Sequence, residues 1–254
     1  MKVKVLGCSG GIGGNLRTTA LLVDNDILID AGTGVGELGI EQLIEIEHVF
    51  VTHSHLDHVT SIPFLVDTVN GMRDKHITVH ATRETWKILK DHIFNWKIWP
   101  DFTAIPNETE PFLRYSEIKL GVPVELNGRR ITPVPANHAV PAVGFHLDSG
   151  EASLVFTGDT TTCDALWEVV NKIENLKYLI IETAFRNSEI KLAKRSDHLC
   201  PSLLLAELKK LKRKARIYIT HLKPGEGEAI MSEVGTDADE FNPIPLSNQQ
   251  IFRF

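Results

Sequence analysis

Within Thr52-His53-Ser54-His55-Leu56-Asp57-His58 stand three imidazoles and one carboxylate. Such groups are costly to bury unless something binds them, and imidazole mixed with carboxylate suits a divalent transition metal. A lone histidine is most often a satisfied polar residue. Four ligand-type residues at this spacing point instead to an ion.

The run follows His48-Val49-Phe50-Val51, an apolar stretch that reads as a buried strand. It therefore lies on the loop leaving that strand's carboxyl end, where α/β folds place reactive groups. Three further strand ends carry the same kinds of residue. Residues 131–134 lead to Asn137-His138, Leu154-Val155-Phe156 leads to Thr157-Gly158-Asp159, and Ile217-Tyr218-Ile219 leads to Thr220-His221. Taken singly, each is a turn residue or a helix cap. Together with the first run they bring five histidines and two aspartates to four strand ends.

The elements that must position these groups are legible along much of the chain. Val3, Val5 and Leu6 open a strand that stops at Gly7-Cys8-Ser9-Gly10-Gly11-Ile12-Gly13-Gly14. A dinucleotide fingerprint needs a helix after its glycines, whereas Thr18 to Val23 reads as a second strand. The glycines thus form a flexible loop able to cover an active site, and no nucleotide cofactor is expected. Ala20–Val23 and Ile27–Ile29 make a hairpin about Asp24-Asn25-Asp26. Helical spacing carries Phe64, Leu65 and Val66, and again Trp86, Leu89 and Ile93 beyond a strand at 77–79. After Pro100 the pattern loosens into loop. Strands resume at 122–126, 130–134, 142–147 and Ser153–Phe156. A helix through Leu166, Val169, Val170 and Ile173 follows, then a strand at 178–181, a helix at 201–211 and a strand at 216–219. Strands precede helices in each half. That order predicts two sheets packed face to face with helices outside, in one domain spanning residues 1–254.

Composition narrows the class. Apolar residues make up 43% and charged residues 24%, proportions that sustain a buried core. A net charge of −6 speaks against a nucleic-acid binder working by blanket electrostatics. Cys8, Cys163 and Cys200 are scattered, odd in number and without a CxxC pair, which argues against a disulfide framework and fits a reducing compartment. Met1 to Gly7 enters a strand pattern without an apolar signal core, and no run is long enough to span a membrane. The expected location is the cytoplasm.

The ordered set His53-x-His55-x-Asp57-His58, His138, Asp159 and His221, preceded by Asp30-Ala31-Gly32, resembles the metallo-beta-lactamase superfamily. The resemblance covers nearly the whole chain. It implies an αββα sandwich of two mixed β-sheets flanked by helices, with a dinuclear metal site. It further implies His53, His55 and His138 around a first ion, Asp57, His58 and His221 around a second, and Asp159 bridging both. Asp30 would orient a ligand imidazole from behind. The segments 53–62, 137–145 and 220–224 are similar to the signature of class II cyclic-nucleotide phosphodiesterases, as is 94–100. Pro63-Phe64 departs from that signature where two more aliphatic residues are expected. The departure falls at a helix start, where proline is tolerated, and touches no ligand.

The implied activity is a metal-dependent phosphodiesterase that hydrolyses 3′,5′-cyclic nucleotides, cyclic AMP by default, to 5′-nucleotides through a dinuclear-metal hydroxide. Two divalent ions are expected as cofactors, zinc first, with manganese and magnesium as alternatives. Asp57, Glu182 and His198 form the expected catalytic group. His198 precedes the helix that opens at Pro201, as a histidine does in the related RNA-processing nucleases, and Glu182 matches the glutamate those enzymes pair with it. A carboxylate partner would raise the imidazole's pKa into the range needed to protonate a leaving oxygen. The plainer role for His198 is a cap on that helix. One rival is an RNase Z-type tRNA 3′-endonuclease, which carries a glycine- and proline-rich basic arm that is not seen here. Another is a non-hydrolytic nucleotide-sensing protein of the same fold, which a broken ligand set would mark; every ligand position is filled. The expected partner is thus a cyclic nucleotide, with no nucleic acid and no membrane. Trp86, Trp96 and Trp99 read more readily as core or as a dimer seam than as a purine platform, and they admit a homodimer. The basic run at 209–216 reads as a solvated helix end.

Overall fold

The computed structural model describes residues 1–237 and 241–254. The first sheet contains β1 (Lys2–Gly7), β2 (Ala20–Val23), β3 (Ile27–Ile29), β4 (His48–Phe50), β5 (Ile77–Ala81) and β6 (Leu113–Glu117), side by side in chain order. The second contains β7 (Val124–Leu126), β8 (Arg129–Pro135), β9 (Val143–Asp148), β10 (Ser153–Phe156), β11 (Leu176–Glu182), β12 (Arg216–Thr220) and β13 (Ile244–Pro245), again in order. β14 (Ile251–Arg253) then returns to pair antiparallel with β1. Both sheets are mixed. Pairing is antiparallel from β1 to β3 and parallel from β3 to β6. It is antiparallel from β7 to β10 and parallel from β10 to β13.

Side-chain alternation decides what each strand packs against. Phe50 of β4 and Leu154 and Phe156 of β10 point between the sheets, where they meet Val3, Val5, Ile27, Ile29, Phe145 and Ile180. Val49 and Val51 point the other way, toward a layer of helices. Beyond the short α1 (Ile40–Glu45) and α2 (Leu56–Val59), it is filled by Ile62, Leu65, Val66 and Val69 of α3 (Ser61–Val69) and Leu89 of α4 (Arg83–His92). Val155 of β10 likewise faces outward, toward α5 (Asp164–Val170), α7 (Pro201–Leu208) and α8 (Gly227–Asp237); the short α6 (Ile190–Arg195) precedes α7. The architecture is the αββα sandwich expected from the sequence. None of the helices described is long and apolar enough to cross a membrane.

Three features differ from the sequence reading. The loosened stretch after Pro100 contains β6, in which only Leu113 is fully buried, so the alternation that marks a strand is missing. The helix expected at 201–211 ends at Leu208. β14, which the sequence pattern does not mark, carries the end of the second half across to the first sheet.

A polar clamp joins the sheets at one end. Arg129, opening β8, donates to Asp24 Oδ2 at 3.3 Å and to Asp26 Oδ2 at 2.7 Å, both in the turn between β2 and β3. β3 and β8 both run from this clamp toward the opposite end, where Asp30 and His138 follow them.

Candidate metal centre

The loops at that opposite end bring all seven expected ligand residues together. His53, His55, His138 and Asp159 form one group, and Asp57, His58, Asp159 and His221 form a second. Within each group the candidate ligand atoms lie within 4.8 Å of one another, and Asp159 belongs to both. Its carboxylate reaches residues of both groups. Its Oδ2 lies 3.3 Å from His58 Nε2 and 3.7 Å from His53 Nε2, while Oδ1 lies 3.3 Å from His221 Nδ1.

Hydrogen bonds behind the rings decide which nitrogens face inward. His58 donates from Nδ1 to Asp30 Oδ2 at 2.7 Å. Asp30 is wholly buried and also accepts from the backbone N–H and the hydroxyl of Thr52, each at 2.8 Å. That hydroxyl lies 3.0 Å from His53 Nδ1, from which it accepts in turn, and His138 Nδ1 donates to the carbonyl of Asp197 at 2.9 Å. Three Nδ1–H groups are thereby anchored, and the Nε2 lone pairs are left to the interior. The orientation expected of Asp30 is present. Thr52 and Asp197 do comparable work that the sequence reading did not foresee. Asp197 acts through a backbone carbonyl, which leaves no mark in side-chain type; Thr52 lay in plain view at the start of the run.

A metal ion fits these groups. His53 Nε2, His58 Nε2 and His221 Nδ1 are buried without a hydrogen-bond partner, a state buried polar atoms rarely tolerate. His55 Nδ1 and His138 Nε2 stand 3.2 Å apart. Two tetrahedral ligands at a Zn–N distance of about 2.0–2.1 Å would be separated by roughly 3.3 Å. Burial holds the imidazoles of His53, His55 and His138 below their usual pKa and that of His221 down to about 3, which keeps them neutral and able to ligate. Burial also opposes charge on His58, but the carboxylates of Asp159 and Asp30 outweigh it and hold its imidazolium well above the usual range. A field that retains a proton there also favours a divalent cation.

Three residues of the site hold unusual backbone conformations, Asp30 and His221 just after strands and Asp197 just after the helix Ile190–Arg195. Asp30 (φ +57°), Asp197 (φ +53°) and His221 (φ +62°) all occupy the left-handed region, which costs of order 1–3 kcal/mol per non-glycine residue. Such strain persists where surrounding contacts over-determine the chain.

Glu182 and His198 meet as the sequence suggested. Glu182 ends β11, is wholly buried, and accepts from His198 Nδ1 at 2.7 Å and from the backbone N–H groups of Thr160 and Leu199. The His198 ring stacks on His221, with centroids 5.1 Å apart, and meets His138 edge-on at 4.9 Å. It therefore adjoins both groups of metal-type residues. Burial works against a charged His198, but Glu182 outweighs it and holds the imidazolium above its usual pKa.

The tryptophans divide. Trp86 stacks on Tyr115 and Trp99 packs edge-on against Phe64, whereas Trp96 is 64% exposed. In the basic run, Lys210 pairs with Glu207 and Asp164, and Arg213 caps the Asn171 carbonyl.

Comparisons with known proteins place this arrangement. A family profile described as a beta-lactamase superfamily domain matches residues 25–222. A probable 3′,5′-cyclic-nucleotide phosphodiesterase of Yersinia pestis is 26% identical, over 96% of this chain and 85% of its own length. A 3′,5′-cyclic-nucleotide phosphodiesterase of Aliivibrio fischeri is 27% identical over 86% and 80%. A ribonuclease Z of Haloarcula marismortui is 29% identical over 59% of this chain and 48% of its own. Among solved structures, unliganded yeast PDE1 superposes with a TM-score of 0.83 at 17% identity, covering 100% of this chain and 99% of that one. The metallo-beta-lactamase fold protein YhfI from Bacillus subtilis gives 0.77 at 18%, covering 99% and 98%. Sandwich, paired ligand groups and profile agree: the chain belongs to the beta-lactamase superfamily.

Proposed function

We propose that this protein is a phosphodiesterase that hydrolyses 3′,5′-cyclic nucleotides to 5′-nucleotides. The observation that carries the reading is the junction of two metal-type groups sharing Asp159 with the His198 imidazole, which is hydrogen-bonded to Glu182 and has its pKa raised by it. Two divalent ions, zinc by preference for five imidazoles, would polarise the phosphate oxygens and supply an activated water for in-line attack. His53, His55, His138 and Asp159 would hold one, and Asp57, His58, His221 and Asp159 the other.

The chain's own residues complete the reaction. The attacking water gives up one proton to solvent as its oxygen bonds to phosphorus, and as the P–O3′ bond breaks His198 delivers its own proton to the departing O3′. Glu182 orients the ring and keeps it charged until that moment. Asp30, Thr52 and Asp197 fix the ligand imidazoles so that little reorganisation is needed during the displacement.

Relatives named for cyclic-nucleotide hydrolysis align with most of the chain and most of their own length, whereas the ribonuclease Z aligns with about half of its own. That contrast supports a small substrate over a tRNA; cyclic AMP is the default only by family likeness. The exposed Trp96, Ile98 and Phe64 suit a homodimer contact, and three free cysteines suit the cytoplasm.

The test is a panel of cyclic nucleotides and a precursor tRNA offered to zinc- or manganese-loaded protein, with products resolved by chromatography. Conversion of cyclic nucleotides to 5′-monophosphates, abolished by chelation, is expected. Cleavage of the tRNA with the cyclic nucleotides left intact would replace this reading with an RNase Z activity.

A further inference from the structure

The glycine-rich loop after β1 takes no part in the chemistry above, yet its first half is tied to a candidate ligand. The backbone N–H of His221 donates to the Cys8 carbonyl at 2.8 Å, and the Thr220 hydroxyl donates to the same oxygen at 3.2 Å. Gly10 N–H and the Ser9 hydroxyl both donate to the Leu222 carbonyl, at 3.1 and 3.2 Å. Lys223 Nζ donates to the Gly10 carbonyl at 3.0 Å. Residues 8–10 thus form a strap laced to 220–223, across the one candidate ligand that must hold a left-handed backbone at φ +62°.

Gly10 lies where the strap meets the imidazole. A Cβ there would stand 2.6 Å from the His221 carbonyl oxygen, 3.0 Å from Cδ2 and 3.1 Å from Nε2. The nearest of these atoms is backbone, and the backbone N–H of the same residue is fixed to Cys8, so the segment cannot simply swing away. The bare Cα lets the Cδ2–Nε2 edge of the ring lie against the strap while Nδ1 stays 3.3 Å from Asp159. Among the described residues, no other glycine has an atom of His53, His55 or His138 among the three atoms nearest its added Cβ.

We propose that Gly10 is a positioning residue for His221, and that it sets the affinity of the Asp57–His58–Asp159–His221 group for its ion without governing the other group. The inference concerns metal occupancy and stands apart from the identity of the substrate.

The test is titration of the metal-free protein with cobalt(II), following the d–d absorption and ion stoichiometry alongside thermal melting. Wild type is expected to take two ions. Gly10→Ala should keep one at its original affinity and bind the other about 10–100-fold more weakly, the range for residues that orient a ligand. Gly36→Ala is the control, since a Cβ at Gly36 meets nothing within 4 Å. If Gly10→Ala fails to fold, Ser9→Ala with Thr220→Ala carries the test, because it removes two hydroxyl tethers and adds no atom beside the strap. That variant should weaken the same ion by about 10-fold. Two ions at wild-type affinity in the altered proteins, or equal loss of both with a lowered melting point, would overturn the proposal. A wild type that takes fewer than two ions would overturn it together with the metal assignment.

Discussion

His198 has two readings that one substitution separates. As the donor to O3′, its loss in His198→Ala should lower kcat by roughly 10²–10⁴-fold while both ions stay bound. As a cap at the start of α7, it would leave kcat unchanged once chemistry is shown to limit turnover. The geometry favours the donor, since Nδ1 is engaged by Glu182 and the ring adjoins His138 and His221. At this scale the sequence was most informative where side-chain type carries the chemistry. Histidines and aspartates after apolar strands announce themselves, and His198 with Glu182 came through family likeness. Asp197 and Gly10 did not, because one works through a carbonyl and the other through the absence of a side chain. Neither shows until the folded chain brings remote segments into contact.

Elements were legible in proportion to their burial on a regular period. β10 is buried throughout and its bounds show in the sequence, whereas β6 buries one residue fully and its sequence reads as loop. β14 contributes only Phe252 to the core and depends on a partner some 250 residues away, so no local pattern could reveal it. The clamp between β8 and the β2–β3 turn offers a test of how elements are tied. Burial pushes the Asp26 carboxyl up, but the hydrogen bond and charge of Arg129 outweigh it and leave its pKa below the usual value. The clamp should therefore be fully stabilising above pH about 4 and fade as the pH falls through the lowered folded pKa. Arg129→Met is expected to cost about 1–2 kcal/mol at pH 7, since both carboxylates still reach water. Urea midpoints should show that gap at pH 7 and its narrowing near pH 3. A gap of equal width at both would assign it to packing of the arginine stem.

For the molecule as a whole, the buried nitrogens without partners mean that the metal-free protein carries unmet polar groups at the end of its core. An ion present at 100 times its Kd would add about 2.7 kcal/mol to the folded state. For a chain of this size that corresponds to a Tm rise of about 5–10 °C per site. Calorimetry with a chelator and with added zinc should show it; an unchanged Tm would mean that the groups hold no ion under those conditions. The distribution of the ligand residues adds a mechanical consequence. Each group draws two members from the segment after β4 in the first sheet, His53 and His55 from its loop and Asp57 and His58 from the short helix Leu56–Val59, and two from the strand ends of the second. A bound ion is then a rivet through both layers, and the pair of rivets at one rim faces the Arg129 clasp at the other. Stripped of metal, the sandwich would stay hinged at the clasp and gape along the catalytic rim, so amide exchange should quicken there first.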